Sequence, residues 1–252
     1  MNMPSQAILR GRSDEKLLSP TLIVFGVMLF VTLVGLGFLA KALSDPAALP
    51  IRKVMVDGEF RYLNPDHLKV VVVEAADAGF FGVDVSEIQN ILLDEPWILN
   101  ASVRRVWPDA LRVSIVEQRP VARWGKHALL NEQADIFVPA SDEIPSGLAR
   151  LSGPLGTELE VLRRYHYVRH QLGTVGLSPV QLDLSKRHAW TVTTSAERQL
   201  IIGRRDFEIR LARFIFGYQH GLIAVWARIE RVDLRYTNGF AVSEHGSLKG
   251  NG

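Results

Sequence analysis

The chain has 252 residues, a length that suits one or two domains. Hydrophobic residues make up 47% and charged residues 22%, as in globular material carrying one extra apolar segment. With no cysteine, a disulfide framework, a Cys-based metal site and a Cys nucleophile are excluded, and a net charge of +2 without a long basic run leaves nucleic-acid binding unsupported.

Residues 1–20 read as a polar cytoplasmic tail and 21–43 as a membrane helix. From Thr21 to Leu43 no charge appears until Lys41, and about twenty apolar residues span a hydrocarbon core of about 30 Å. A cleaved signal peptide is the competing reading, because Ala40-Lys41-Ala42 has the small-x-small form of a cleavage site. The apolar run is longer than the roughly 7–15 residues of a signal core, which favours a retained anchor. Arg10, Arg12 and Lys16 on one side nearly balance Lys41, Arg52 and Lys53 on the other, so charge does not set the orientation. The signal-like arrangement favours the N-terminus inside and the body outside. Residues 44–50 form a short Pro/Ala linker.

The segment 51–120 reads as strand, helix, helix, strand, strand. Ile51–Val56 ends at Asp57-Gly58 as a strand and turn. Asn64-Pro65 supplies an N-cap and first-turn proline before Leu68, Val71, Val72 and Ala75 at helical spacing. Asp84 and Glu87 form a capping-box pattern before Ile88, Ile91 and Leu92. Ile98–Val106 and Leu111–Gln118 form a hairpin around Trp107-Pro108. The segment 121–244 is expected to be mainly β with two helices. Its strand candidates are Leu129–Leu130, Ile136–Val138, Val180–Leu184, Trp190–Thr194, a strand face of Val232, Leu234 and Tyr236, and Phe240–Val242 after an Asn238-Gly239 turn. One helix opens with a Thr157/Glu160 capping box and buries Val161, Tyr165, Val168 and Leu172. The other opens at Asp206 and buries Phe207, Leu211, Phe214, Ile215 and Tyr218. Residues 245–252 read as a flexible polar tail. The fold class is α+β.

No Walker loop, dinucleotide fingerprint, GxSxG or HExxH motif occurs. His166 and His170 are four apart, but Tyr167 stands where a zincin would have Glu, and both lie opposite the apolar stripe of their helix, which suits a solvated face. No cofactor and no metal site are expected. Arg104-Arg105 and Arg204-Arg205 read either as edge-strand protection or as attraction for acidic partner helices.

From Pro96 to Trp124 the sequence PWILNASVRRVWPDALRVSIVEQRPVARW resembles the bacterial cell-division protein family FtsQ/DivIB. Further similar stretches are LLN at Leu129–Asn131, L-x-G-P at Leu151–Pro154, R-L-x-R-F at Arg210–Phe214 and VDLRY at Val232–Tyr236. The resemblance implies a POTRA domain at 51–120 and a β-domain at 121–244. It further implies a non-enzymatic inner-membrane scaffold that recruits the FtsB–FtsL pair at the septum. Its implied contact is strand addition to the terminal strand, at Arg235, Tyr236, Asn238, Gly239, Phe240, Ala241 and Val242, with Arg187 as a second cation. In that reading Tyr236 and Phe240 supply apolar area, Gly239 allows a turn and close backbone approach, and Arg235 pairs with a partner acid. Ala134 stands where the family's glycine is expected after LLN, and Glu244 where an aromatic is expected. Two alternatives are a POTRA-type chaperone or secretion component and a membrane-anchored cell-wall enzyme. The first requires a long series of barrel strands for which too little chain remains. The second requires a reactive set that the sequence does not display.

Overall fold

A computed structural model describes residues 20–43 and 49–244. The expected N-terminal and C-terminal tails and most of the linker lie outside these residues. Helix α1 (Pro20–Leu43) carries no charge before Lys41 in its last turn. It is the one described helix long and apolar enough to cross a membrane, and none of its apolar window is covered by the rest of the chain.

The next layer pair has the expected order. Strand β1 (Lys53–Asp57) is followed by helices α2 (Pro65–Ala75), α3 (Gly79–Gly82) and α4 (Val85–Leu93), then by strands β2 (Ile98–Val106) and β3 (Ala110–Glu117). The sheet order is β1-β3-β2, with β1 parallel and β2 antiparallel to the central β3. The local signals act as read. The Asn64 side chain accepts from the Asp66 N–H, and Asp84 accepts from Ser86 and Glu87, so orphan donors at both helix starts are satisfied. Leu68 and Val72 of α2 and Ile88 and Leu92 of α4 meet Ala101, Val103, Leu111, Val113 and Ile115 of the sheet in one core. Helix α3, the Gly-Phe-Phe-Gly turn, has no periodic signal and is an addition to the sequence reading.

Only Gln118 and Arg119 separate β3 from β4 (Pro120–Trp124), the first strand of a nine-stranded sheet. The others are β5 (Ala128–Asn131), β6 (Ile136–Phe137), β7 (Arg150–Ser152), β8 (Pro179–Leu184), β9 (Trp190–Thr194), β10 (Gln199–Gly203), β11 (Ile229–Asp233) and β12 (Ala241–Glu244). Their spatial order is β12-β11-β10-β9-β8-β7-β4-β5-β6. Helices α5 (Glu158–Gly173) and α6 (Phe207–Gly217) cover one face, burying Val161, Tyr165, Val168 and Leu172 beside Phe207, Leu211 and Phe214. Sheet residues such as Leu182, Val192, Leu200 and Val232 complete this core, and each such side chain contributes about 1.5–3 kcal/mol by leaving water. The guanidinium of Arg164 lies 4.5 Å from the Phe207 ring centre and pairs with Glu208, locking α5 to α6.

Several details differ from the sequence reading. The sequence reading does not contain strands β4, β7 and β10; β7 is short, and it and β10 pair with partners distant in sequence. Thr157 does not cap α5. Its hydroxyl donates to the Pro154 carbonyl instead, so the capping box is absent. Asp206 precedes α6 at φ 53° and makes no side-chain cap. Ala134 holds the left-handed conformation, φ 66°, expected of the family's glycine. Asn131 braces that turn by accepting from the Gln133 and Asp135 N–H groups.

The two sheets are tied at Trp97, which is 1% exposed. Its ring stacks on Tyr62 at 4.2 Å and meets Phe137 edge-on at 5.4 Å. Its indole N–H donates to Glu143 at 2.8 Å. Leu63, Leu129, Ile144 and Leu148 close the cluster. Beside it, the Glu117 carboxylate accepts from the backbone N–H groups of Arg61, Tyr62 and Leu63 at 2.7–2.8 Å. Trp97→Ala is expected to cost about 3–5 kcal/mol, read as a lower midpoint in urea unfolding of the detergent-solubilised chain.

Candidate partner-binding edge

Strand β12 is the outermost strand at one rim of the nine-stranded sheet. Among the described residues it pairs only with β11, antiparallel, Val242 opposite Val232 and Ala241 opposite Asp233, with a register shift between Ile229 and Arg231. All four of its residues are exposed. An edge strand of this kind presents a row of backbone N–H and C=O groups to any extended segment that arrives.

The loop before β12 is held from three directions. The Leu234 N–H donates to the Ile201 carbonyl at 2.8 Å, extending the parallel β10–β11 ladder by one bond. The Arg213 guanidinium of α6 donates to the carbonyls of Tyr236 and Gly239 at 2.8 and 3.2 Å. The Phe240 ring rests on Gly217, where a Cβ would lie 2.6 Å from Phe240 Cζ. Glycine in a helix costs about 1 kcal/mol relative to alanine, and here it makes room for the ring. Arg213 belongs to the R-L-x-R-F stretch, though the sequence does not give it this role, and Gly217 has no place in the sequence reading. A glycine at the end of an amphipathic helix is the available signal.

Strand β11 ends at Asp233, so Tyr236 does not share its face; Tyr236 lies in a bend and is 58% exposed. Asn238 is exposed in the same bend, and β12 starts one residue after Phe240. Gly239 is not in the left-handed region, and a Cβ there would meet open space, so the loop itself does not require glycine at that position. Phe240 is half-buried, with part of its area spent on Gly217 and the core. Arg235 already has a partner, since its guanidinium bonds both carboxylate oxygens of Asp233 at 2.6–3.0 Å. That hydrogen bond is the chief reason the Asp233 carboxyl titrates below its ordinary range, with burial opposing it, and Asp233 in turn raises Arg235.

Arg187 lies in the exposed turn between β8 and β9. The pairings of Leu184 with Trp190, Trp190 with Gly203, Ile201 with Asp233 and Asp233 with Ala241 put that turn at the same end of the sheet as the 234–240 loop. Arg204 and Arg205 follow β10 at this end and are exposed, so this pair sits in a bend and not on a strand edge, whereas Arg104 and Arg105 lie on the edge strand β2. The sheet end therefore carries a basic rim. Arg187 is three strand spacings from β12, about 14 Å, and belongs to the rim and not to the strip. His166 and His170 are exposed on α5. Among the described residues no three His, Cys, Asp or Glu side chains gather to hold a metal ion.

This architecture has known counterparts. The family described as POTRA domain, FtsQ-type, matches residues 49–118, and the family described as cell division protein FtsQ/DivIB, C-terminal, matches residues 122–235. The chain is therefore an FtsQ-type POTRA domain followed by an FtsQ/DivIB C-terminal domain. Cell division protein FtsQ of Coxiella burnetii is 34% identical over 92% of this chain and 94% of its own length. The FtsQ of Shewanella oneidensis is 38% identical over 81% of this chain and 78% of its own. That of Xanthomonas campestris pv. campestris is 34% identical over 89% and 81%. The chain belongs to the FtsQ family of cell division proteins. The C-terminal family match ends at Arg235, one residue before Tyr236, so it does not reach the β12 strip.

Two outcomes are expected. Gly217→Val should drive Phe240 out of its seat, and hydrogen exchange should quicken at the β12 amides while core amides of β9 stay protected. A carboxyl whose folded pKa is depressed stabilises the fold above its unfolded value, about 3.9, and loses that contribution as pH falls through the folded value. The melting-temperature gap between the parent and Asp233→Asn should therefore be present at neutral pH and close below about pH 4.

Proposed function

We propose that this chain is a non-enzymatic, single-span inner-membrane scaffold of the division machinery, with its N-terminus in the cytoplasm and its body in the periplasm. In this reading it recruits the FtsB–FtsL pair at the septum through an extended segment of that pair added alongside β12. The observation that carries the reading is the exposed edge of β12 in a member of the FtsQ family, beside an exposed Tyr236 and under a basic sheet end. An added strand gains main-chain hydrogen bonds along β12, and side-chain contacts to Tyr236 and Val242 select its sequence.

Arg235 enters this reading in a modified role. Its charge is largely met by Asp233, so attraction for an acidic partner is shared with Arg187, Arg204 and Arg205 at the rim. Such a field acts on association and weakens with salt. Gly239, free of any demand from its own loop, leaves room for a partner backbone to approach. A secretion role finds no support in the sheet, which is open and ends at β6 and β12.

Tyr236→Ala is expected to weaken binding of the FtsB–FtsL pair by about tenfold or more, as for a buried interface aromatic, with the unfolding midpoint unchanged. Unaltered affinity in surface-plasmon measurements on the reconstituted full chain would remove Tyr236 from the site.

A further inference from the structure

The pole of the POTRA domain at which the chain enters it gathers features that the β12 site does not use. The Leu49 carbonyl accepts the Phe80 N–H at 2.9 Å, which pins α3 to the entering chain. The next residues, Arg52 and Lys53, both donate backbone N–H groups to the Asp109 carbonyl in the β2–β3 turn. Lys53 is paired with Ala110, so the start of β1 and the tip of the hairpin share one end of the sheet. Arg105 of β2 folds onto the Val83 carbonyl just after α3, closing the group. Two aromatic side chains stand out from this pole. Trp107 at the hairpin tip is 78% exposed and Phe81 is 52% exposed. Around them Arg52, Lys53, Arg104 and Arg105 are all exposed.

We propose that this pole rests on the lipid bilayer, with Trp107 and Phe81 in the interfacial layer and Arg52, Lys53 and Arg105 over anionic headgroups. The inference rests on α1 being a membrane span. Six Cα–Cα steps join Leu43, the last residue of α1, to Leu49, a reach of at most about 21 Å. The pole is thus tethered to within that distance of the helix end, and Phe80 is hydrogen-bonded to the tether itself. Tryptophan is favoured at the membrane–water interface because its ring is apolar and its N–H polar, and basic side chains beside it meet lipid phosphates. In bulk water the exposed Trp107 and Phe81 leave apolar area unburied at the same pole that carries these exposed cations.

Because the chain has no cysteine, single labels report one place each. Full-length variants Phe81→Cys, Trp107→Cys, Leu155→Cys and Leu33→Cys would carry an environment-sensitive fluorophore. They would be reconstituted in phosphatidylethanolamine–phosphatidylglycerol vesicles containing nitroxide lipids. Leu33 lies within α1, and Leu155 is 91% exposed on a β-domain loop. Quenching at 81 and 107 by a nitroxide near the headgroups, several-fold above that at 155, is the expected result. Quenching at 33 with none at 81 and 107 overturns the proposal and leaves the span intact. No quenching at 33 overturns both. The unlabelled chain gives a second reading, since brominated lipid should quench its tryptophan emission in the parent and less in Trp107→Phe. Equal quenching in the two also overturns the proposal.

Discussion

Two residues between β3 and β4 leave little freedom in how one sheet can sit against the other, and Trp97 removes most of what remains. A large ring sealed between Tyr62 and Phe137, with its N–H committed to Glu143, fixes an angle as well as a contact. The Glu117 carboxylate does the same for the backbone after β1 by gathering three N–H groups on one residue of β3. Everything farther along the chain inherits that geometry. From β4 the sheet runs through six strand spacings to β12, about 29 Å. The proposed docking strip is therefore held well away from the POTRA core.

The treatment of sheet edges is uneven. On β2, the outer strand of the POTRA sheet, the Gln89 amide donates to the Ala101 carbonyl and Arg105 folds back on Val83. Strand β6, at the far rim of the larger sheet, has two residues. Short strands and inward-turned polar side chains are common means of discouraging unwanted pairing. Strand β12, four residues long, has no side chain turned back across its edge among the described residues, and its approach loop is held in place by Arg213, Gly217 and the Asp233–Arg235 pair. An edge kept both open and rigid is what a strand-adding partner needs, because less ordering entropy is lost on binding.

The sequence was most legible where structure is local. Asn64-Pro65, the Asp84 cap and the hairpin around Pro108 each announce themselves within a few residues, and together they define the POTRA order. Legibility failed where partners lie far apart in the chain. Strand β7 has three residues and depends on β4 and β8, and the parallel pairing of β10 with β11 spans all of α6. At the candidate site the residue types of the strip were readable through the family resemblance. That Tyr236 is out of the strand, that Arg235 is already paired and that Phe240 is seated on α6 are tertiary facts without a local signature. The Thr157 box shows the converse, a correct local pattern overruled when the hydroxyl finds the Pro154 carbonyl.

The seat of Phe240 on Gly217 has a consequence beyond this one molecule. The space above the helix backbone at that point is filled once, by a ring reaching over from the loop. A side chain growing from the helix would fill the same volume, and overpacking destabilises as well as a cavity does. Over the history of the family these two positions are therefore free to trade bulk only together, so they should covary, large on the loop with small on the helix or the reverse.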